Sequence, residues 1–548
     1  MNRHSAISLL VLALFLLVYS VNAYFNYSAA IVPDMLIYGK SAKALLHGHL
    51  SVDYPVFFLL KRHFPSMPGP LTPFVLNSAG HLVSRVTIGI AIMFAPFIAL
   101  FGDRIFWILP IVWDIAMLLG LFLTVRHFFA PRLSGKAWIA ALIAVAAYGT
   151  IINFRLNLRR DIACEALLSA ATLFVMLAMA KKKAIWWHGA SGMLCFISII
   201  KLNLAMMFLP FGMILLYERP WKGMSMQLVV RHAIVGAAVA SVFFAPFFIE
   251  NHVSSGHWYM PVQGVSIETD AAGYAKGNLA FRAAKSFVLT CHDQGYIYSP
   301  KGLPAWVALI FVAIALLGMW AQRRHPFVRF WAFPCLALLY MFYTVWNITW
   351  RDFAYTTNIY LAPAYPLMVF FFVCGLYSIG GSLFKREAIA WTAAAVFLIP
   401  FFAVKVYYSI PATRHERFQL SEVAGLRDDL LAHIPAGSVL LCDRFLNYNI
   451  DYFTPIYSFP PAWLDDSSST IIDKVGYLLD KGIPVFFCDY RGIEGSYTYQ
   501  SRLESAFSLE RVKQNQELHK YPSEFPAPPF SIYSIRHAEY THAKQGNP

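Results

Sequence analysis

Apolar runs close to the length of a bilayer crossing, separated by short polar loops, recur along the first three quarters of the chain. A spanning helix needs ~20 predominantly apolar residues. On that ruler the pattern predicts eleven spans, near residues 6–23, 105–125, 137–153, 162–180, 184–200, 202–217, 232–249, 303–321, 327–346, 358–380 and 388–408. With the N-terminus inside, the basic loops fall on one side, as the positive-inside bias requires. They carry Arg126, Arg132 and Lys136, then Lys181 to Lys183, then Arg219, Lys222 and Arg231, then Arg323, Arg324 and Arg329, then Lys385 and Arg386. This works only if the apolar stretch from Val83 to Leu100 does not cross. His81 and Arg85 at its start, Pro96 inside it and Gly102 at its end suit a helix lying at, or dipping into, the outer face. The run from Ile7 to Ala23 resembles a signal peptide, but lacks a clear cleavage site and is read as an uncleaved first span.

The expected architecture is therefore an α-helical polytopic membrane protein with a C-terminal extracytoplasmic α/β domain. The division is a transmembrane module over 1–410, with external loops at 24–104 and 250–302, and an α/β domain over 411–548. In the tail, 437–443, 483–489 and 530–536 read as strands, while Ile471 to Lys481 and Arg502 to Gln514 are predicted helices.

Composition narrows the class. A mean hydropathy of +0.53, 58% hydrophobic and 14% charged residues exclude an ordinary soluble enzyme. The net charge of +14 does not point to nucleic acid, because the basic residues sit in short loops between apolar runs. Cys164, Cys195, Cys335 and Cys374 lie in or beside apolar runs, and no cysteine spacing suits zinc. Cys442 and Cys488 each precede an Asp at a predicted strand end, where a disulfide and two thiols are both open readings.

Against this topology a few charges stand out. Arg155, Arg159, Arg160, Lys201 and Arg351 fall at the non-cytoplasmic ends of the predicted spans, where the positive-inside bias disfavours them. An anionic ligand at the outer face explains the group; lipid head groups or local pairs, such as Arg160 with Glu165, explain any one of them. Two isolated acids lie near them in the pattern. Asp34 opens an amphipathic helix that Gly48 ends, with Tyr38 and Lys40 near its start, and Asp161 heads the fourth span. As a bare helix-start carboxylate, Asp34 would need no chemistry. Asp161 and Glu165, four residues apart, share a helix face and suit a structural pair as well as a catalytic one.

The segment P-D-M-L-I-Y-G-K-S-A-K-A-L-L-H-G-H-L (33–50) resembles the first external loop of the class C (GT-C) glycosyltransferases, polytopic enzymes that include the protein O-mannosyltransferases and the bacterial aminoarabinose transferases. Further likenesses follow in order: GHLVSRVTIGIAIMFAPFIALFG (80–102), NFRLNLRRDIACE (153–165), SIIKLNLAMMFLP (198–210) and RDFAYTTNIYLAPAYP (351–366). The resemblance implies transfer of a monosaccharide, with inversion, from a polyprenyl-phosphate donor to a glycan, lipid or protein acceptor outside the plasma (inner) membrane. It makes Asp34 the general base and gives Asp161 a possible catalytic part. Tyr38, Lys40, Arg85, Arg159, Arg160, Lys201 and Arg351 become donor contacts. The chemistry agrees: a base takes the acceptor proton, and cations stabilise the departing phosphate.

No cofactor is expected. His47, His49, His81 and Asp53 could form a metal site, although loop histidines are more often hydrogen-bonded structure. Trp258, Tyr259, Tyr296 and Tyr298 could stack on an acceptor sugar. Asp443 and Asp489, at predicted strand ends, occupy a ligand-crevice position or are turn residues; the tail is expected to modulate acceptor choice or stability without supplying the base. Two other functions share the outline, a lipid-linked-sugar flippase or transporter, which usually shows duplicated halves and midplane charges, and an oligosaccharide polymerase or ligase.

Overall fold

The computed structural model describes residues 3–27, 33–67, 74–76, 80–84, 88–133, 136–151, 160–256, 258, 305–346, 362–383, 389, 391–400, 430–442, 450–452, 454–465, 469–489, 496–515 and 530–538. These form two compact units, one of Met1–Ala30 with Val86–Arg414 and one of Ile31–Arg85 with His415–Pro548.

The first unit is helical. A helix occupies each segment that hydropathy marks as a span, among them Arg3–Tyr27, Ile105–Phe129, Ala137–Ile151, Arg160–Lys181, Ala184–Ile200 and Met226–Ser255. Among the described residues four stretches are long and apolar enough to cross a membrane by length and composition: Ile108–Phe129, Ile162–Lys181, Met226–Val253 and Ala362–Gly381. Shorter apolar helices fill the other positions, from Leu9–Val18 to Trp391–Pro400. The helix Ile88–Phe101 has 14 residues. At 1.5 Å per residue it spans about 21 Å, short of the ~30 Å hydrocarbon core.

Small residues set the packing in this unit. A Cβ on Gly318 would collide with the Phe371 carbonyl, and one on Gly375 with the Ile314 carbonyl. The helices Ala305–Gln322 and Tyr365–Leu383 therefore meet backbone to backbone, the contact that small residues permit between apolar helices. Phe311 and Phe372 stack beside them with centroids 4.0 Å apart. Trp331, fully buried in a π-helical turn over Val328–Ala332, donates its indole N–H to Thr172 Oγ1 at 3.2 Å.

The second unit is built on a five-stranded mixed sheet. Before it in the chain come β1 (Ser51–Val52), β2 (Phe74–Leu76) and β3 (Leu82–Ser84), a small antiparallel sheet in the order β1-β3-β2. The large sheet comprises β4 (Val439–Leu441), β5 (Tyr457–Phe459), β6 (Val485–Cys488), β7 (Phe507–Asn515) and β8 (Phe530–His537), in the order β5-β4-β6-β8-β7. β4 runs parallel to β5 and β6; β8 is antiparallel to β6 and β7.

Strand alternation makes two cores. Val439, Leu441, Val485, Phe487, Tyr533 and Ile535 face one core, and Leu440, Cys442, Phe486, Cys488 and Ile532 face the other. A strand buried on both faces reads as a continuous apolar run, which is why VLLC and VFFC carry no polar position. The first core is completed by the helix Ile471–Asp480 through Ile471, Val475 and Leu478, and by Tyr54, Val56, Phe57, Leu60, Met67 and Leu82 from the first long loop. Residues 31–85 thus fold with the tail, whereas the sequence division counted them with the transmembrane module.

One element differs outright. The predicted helix Arg502–Gln514 is instead the end of a helix, Ser496–Glu504, followed by strand β7. Glu510, Arg511, Lys513 and Gln514 favour helix locally, but pairing along β8, with a bulge between Arg511 and Lys513, overrides that preference. Cys442 and Cys488 are both buried and are not joined in a disulfide, so of the two open readings the structure takes the thiols.

Candidate functional site

Asp34 stands in the first turn of the helix Pro33–Leu46, whose end is fixed by Gly48 at φ +78°. The side chain of Asp34 lies outside the described residues, but the helix that carries it is firmly seated. Met35, Leu36, Ile37, Tyr38 and Ala42 are all buried, so almost every face of its first two turns is covered. Tyr38, four residues after Asp34, is therefore on the same side of a packed helix.

Lys40 forms an ion pair with Asp451 of the tail and lies 4.7 Å from the centroid of the Tyr54 ring. Lys43, three residues on, sits 3.8 Å over the ring of Tyr452. Tyr54 Oη donates to the Ser458 carbonyl at 2.9 Å and accepts from the Ser458 N–H at 3.1 Å, which ties the loop to strand β5. Burial, and after it the charge of Asp451, hold the Tyr54 phenol well above its ordinary pKa, so it stays protonated and keeps donating.

In the helical unit, Lys201 is 5% exposed and ends the helix Ala184–Ile200, its backbone extended at φ −146°. Its N–H returns to Ile197 O at 2.8 Å, and its carbonyl takes the Leu204 N–H at 2.9 Å as a 3₁₀ turn begins. Beside this turn a Cβ on Gly89 would come within 2.5 Å of the Ile199 carbonyl carbon. Glu250 accepts the Ile88 N–H at 3.1 Å, capping the same helix head. Glu250 was not anticipated, although a lone acid near the end of a thirty-residue apolar helix was a readable signal.

Asp161 lies in the first turn of the helix Arg160–Lys181, and the side chains of Arg160 and Asp161 lie outside the described residues. Glu165 is buried and accepts a 2.7 Å hydrogen bond from Tyr148 Oη. Arg85, Arg155, Arg159, Arg351 and Asp443 fall outside the described residues, as do Tyr259, Tyr296 and Tyr298. Asp489 closes the sheet: its N–H bonds Ser531 O at 3.1 Å while its carboxylate takes the Ser531 N–H. These bonds suit the turn reading of Asp489. Among the described residues no group of three or more His, Cys, Asp or Glu is placed to hold a metal.

No family model matches the chain, and no curated protein matches it in sequence. Solved structures that share its fold include two of ArnT. ArnT from Cupriavidus metallidurans in the apo state superposes with a TM-score of 0.60 at 11% identity, over 97% of this chain and 98% of that one. ArnT from the same organism bound to undecaprenyl phosphate gives 0.58 at 12% identity over the same shares. The chain therefore shares its fold with ArnT over nearly its whole length.

Proposed function

We propose that this protein is a membrane glycosyltransferase that moves a monosaccharide, with inversion, from a polyprenyl-phosphate carrier to an envelope glycan, lipid or protein. The observation that carries the reading is the ArnT fold over nearly the whole chain, with one of those ArnT structures holding undecaprenyl phosphate. In this reading Asp34 takes the proton from the acceptor hydroxyl, and Asp161 has a supporting part. Arg85, Arg159, Arg160, Lys201 and Arg351 stabilise the phosphate that leaves, as guanidinium forks and an ammonium point charge do. Eleven spans with the basic loops inside would put the C-terminal α/β unit outside the plasma membrane. A cysteine at Lys182 should then resist an impermeant thiol reagent in whole cells; labelling there would reverse the orientation.

The direct test of the function is mass spectrometry of polyprenyl-linked sugars and envelope glycans in a strain lacking the protein. One carrier-linked monosaccharide should accumulate as one envelope modification disappears. Unchanged profiles would sink the reading, and loss of a long polymer instead of a single sugar would favour a polymerase or ligase.

A further inference from the structure

The contacts made by the helix Pro33–Leu46 do not fit a helix whose cations are free for substrate. Lys40 and Lys43, one turn apart, reach two consecutive residues of the tail, Asp451 and Tyr452. The Lys40 and Asp451 side chains are 19% and 9% exposed, so the pair is shielded from water and from screening salt. Tyr54 completes the arrangement. Its ring lies under the Lys40 ammonium, its hydroxyl holds both backbone groups of Ser458, and its edge contacts Tyr457 and Phe459 at centroid distances of 5.3 and 5.5 Å. A residue more than four hundred positions away thus fixes the helix that begins with Asp34.

We infer that Asp451 is a positioning residue, and that Lys40 is its partner in a clamp holding the Asp34 helix and not a ligand for the donor phosphate. The inference rests on the reading of Asp34 as base. Asp34 lies six residues before Lys40 in the same helix, or about 9 Å along its axis, so a shift or fraying at the clamp is transmitted to the head of the helix. A misplacement of ~1 Å in a reacting group can cost about a hundredfold in rate.

The test uses the full-length protein in a strain lacking the native copy, with three readouts: the envelope modification restored, amide exchange across residues 35–46, and the affinity of purified protein for undecaprenyl phosphate. Lys40→Asp and Asp451→Lys should each cut the modification and speed exchange about ten- to a hundredfold, with undecaprenyl phosphate affinity held within about twofold. The double reversal should recover most of both losses. Asp451→Asn, which keeps the shape, carries the test if the reversals fail to fold, and should show the same pattern more weakly. Weakened undecaprenyl phosphate binding that the double reversal does not restore would make Lys40 a ligand contact and overturn the inference. So would unchanged exchange and modification in Asp451→Asn. Asp34→Asn run in parallel separates the two readings: if it retains the modification, the base assignment falls, while exchange in the clamp variants still decides the clamp.

Discussion

In the helical unit, helices come together because side chains are missing: Gly318 and Gly375 let Ala305–Gln322 and Tyr365–Leu383 touch along their backbones. In the α/β unit, segments from opposite ends of the chain come together because particular side chains are present. Tyr54 bonds the backbone of Ser458, Lys40 pairs with Asp451, and Lys474, at 0% exposure, donates to the carbonyls of Leu464 at 2.7 Å and Ser469 at 3.3 Å. The contrast teaches that adding an atom should damage the first unit most, whereas removing a polar group should damage the second.

The largest expected effect follows from the glycines. Gly375→Ala would gain ~1 kcal/mol of helix propensity, yet the new methyl meets a backbone carbonyl that cannot swing away. A net loss of more than about 3 kcal/mol is expected. Thermal unfolding in detergent should show it, and a variant as stable as the parent would mean that the two helices do not meet at this point. Next comes Lys474→Ala, which strands the buried carbonyls of Leu464 and Ser469 and should cost about 3 kcal/mol in the α/β unit. Proteolysis should then cut residues 464–489 earlier than the helical unit; equal resistance in both would break the contrast. Tyr54→Phe keeps the ring contacts and removes the bonds to Ser458, for about 1 to 2 kcal/mol.

The smallest effect is a pH response. The hydrogen bond from Arg502 to Asp465, and then the backbone N–H of Ile471, hold the Asp465 carboxyl below its usual range. For Asp473 the backbone N–H of Thr470 does so, within a capping box. A depressed carboxylate contributes stability that is present above its unfolded pKa of about 3.9 and is lost as pH falls through the folded value. Acid below about pH 4 should therefore soften the α/β unit, with Asp465→Asn flattening that response; an unchanged profile in the variant would remove Asp465 from the account. Both groups are too exposed for the effect to be large.

The two units also differ in how much of them could be read in the sequence. Helices of the first follow from apolar length alone, and even the short Ile88–Phe101 was marked by Pro96 and Gly102. The backbone contact of Gly318 with Phe371 was not legible, because glycines are ordinary in apolar helices and their partners lie half a hundred residues away. In the tail, β4, β6 and β8 announce themselves by β-branched and aromatic runs, while β7 hides behind helix-forming side chains. The share of the first loop in the tail's core was invisible. Phe57 and Leu60 sit on a nine-residue helix of that loop, and Val439 and Phe487, which share their core, are roughly four hundred residues downstream. Asp34 was legible only through its spacing to Tyr38 and Gly48; Asp451, the residue that steadies its helix, had no signal at all.

The central claim is that Asp34 acts as a base on a polyprenyl-phosphate-linked sugar. Asp34→Asn keeps the side chain's shape and removes its basicity, so the most direct measurement pairs transfer activity with undecaprenyl phosphate binding in that one variant. Removing a general base costs ~10² to 10⁴-fold in rate. The account predicts transfer reduced by at least about a hundredfold with carrier affinity unchanged. Near-normal transfer in folded Asp34→Asn would contradict it, and would leave Asp34 as no more than the carboxylate that starts a helix.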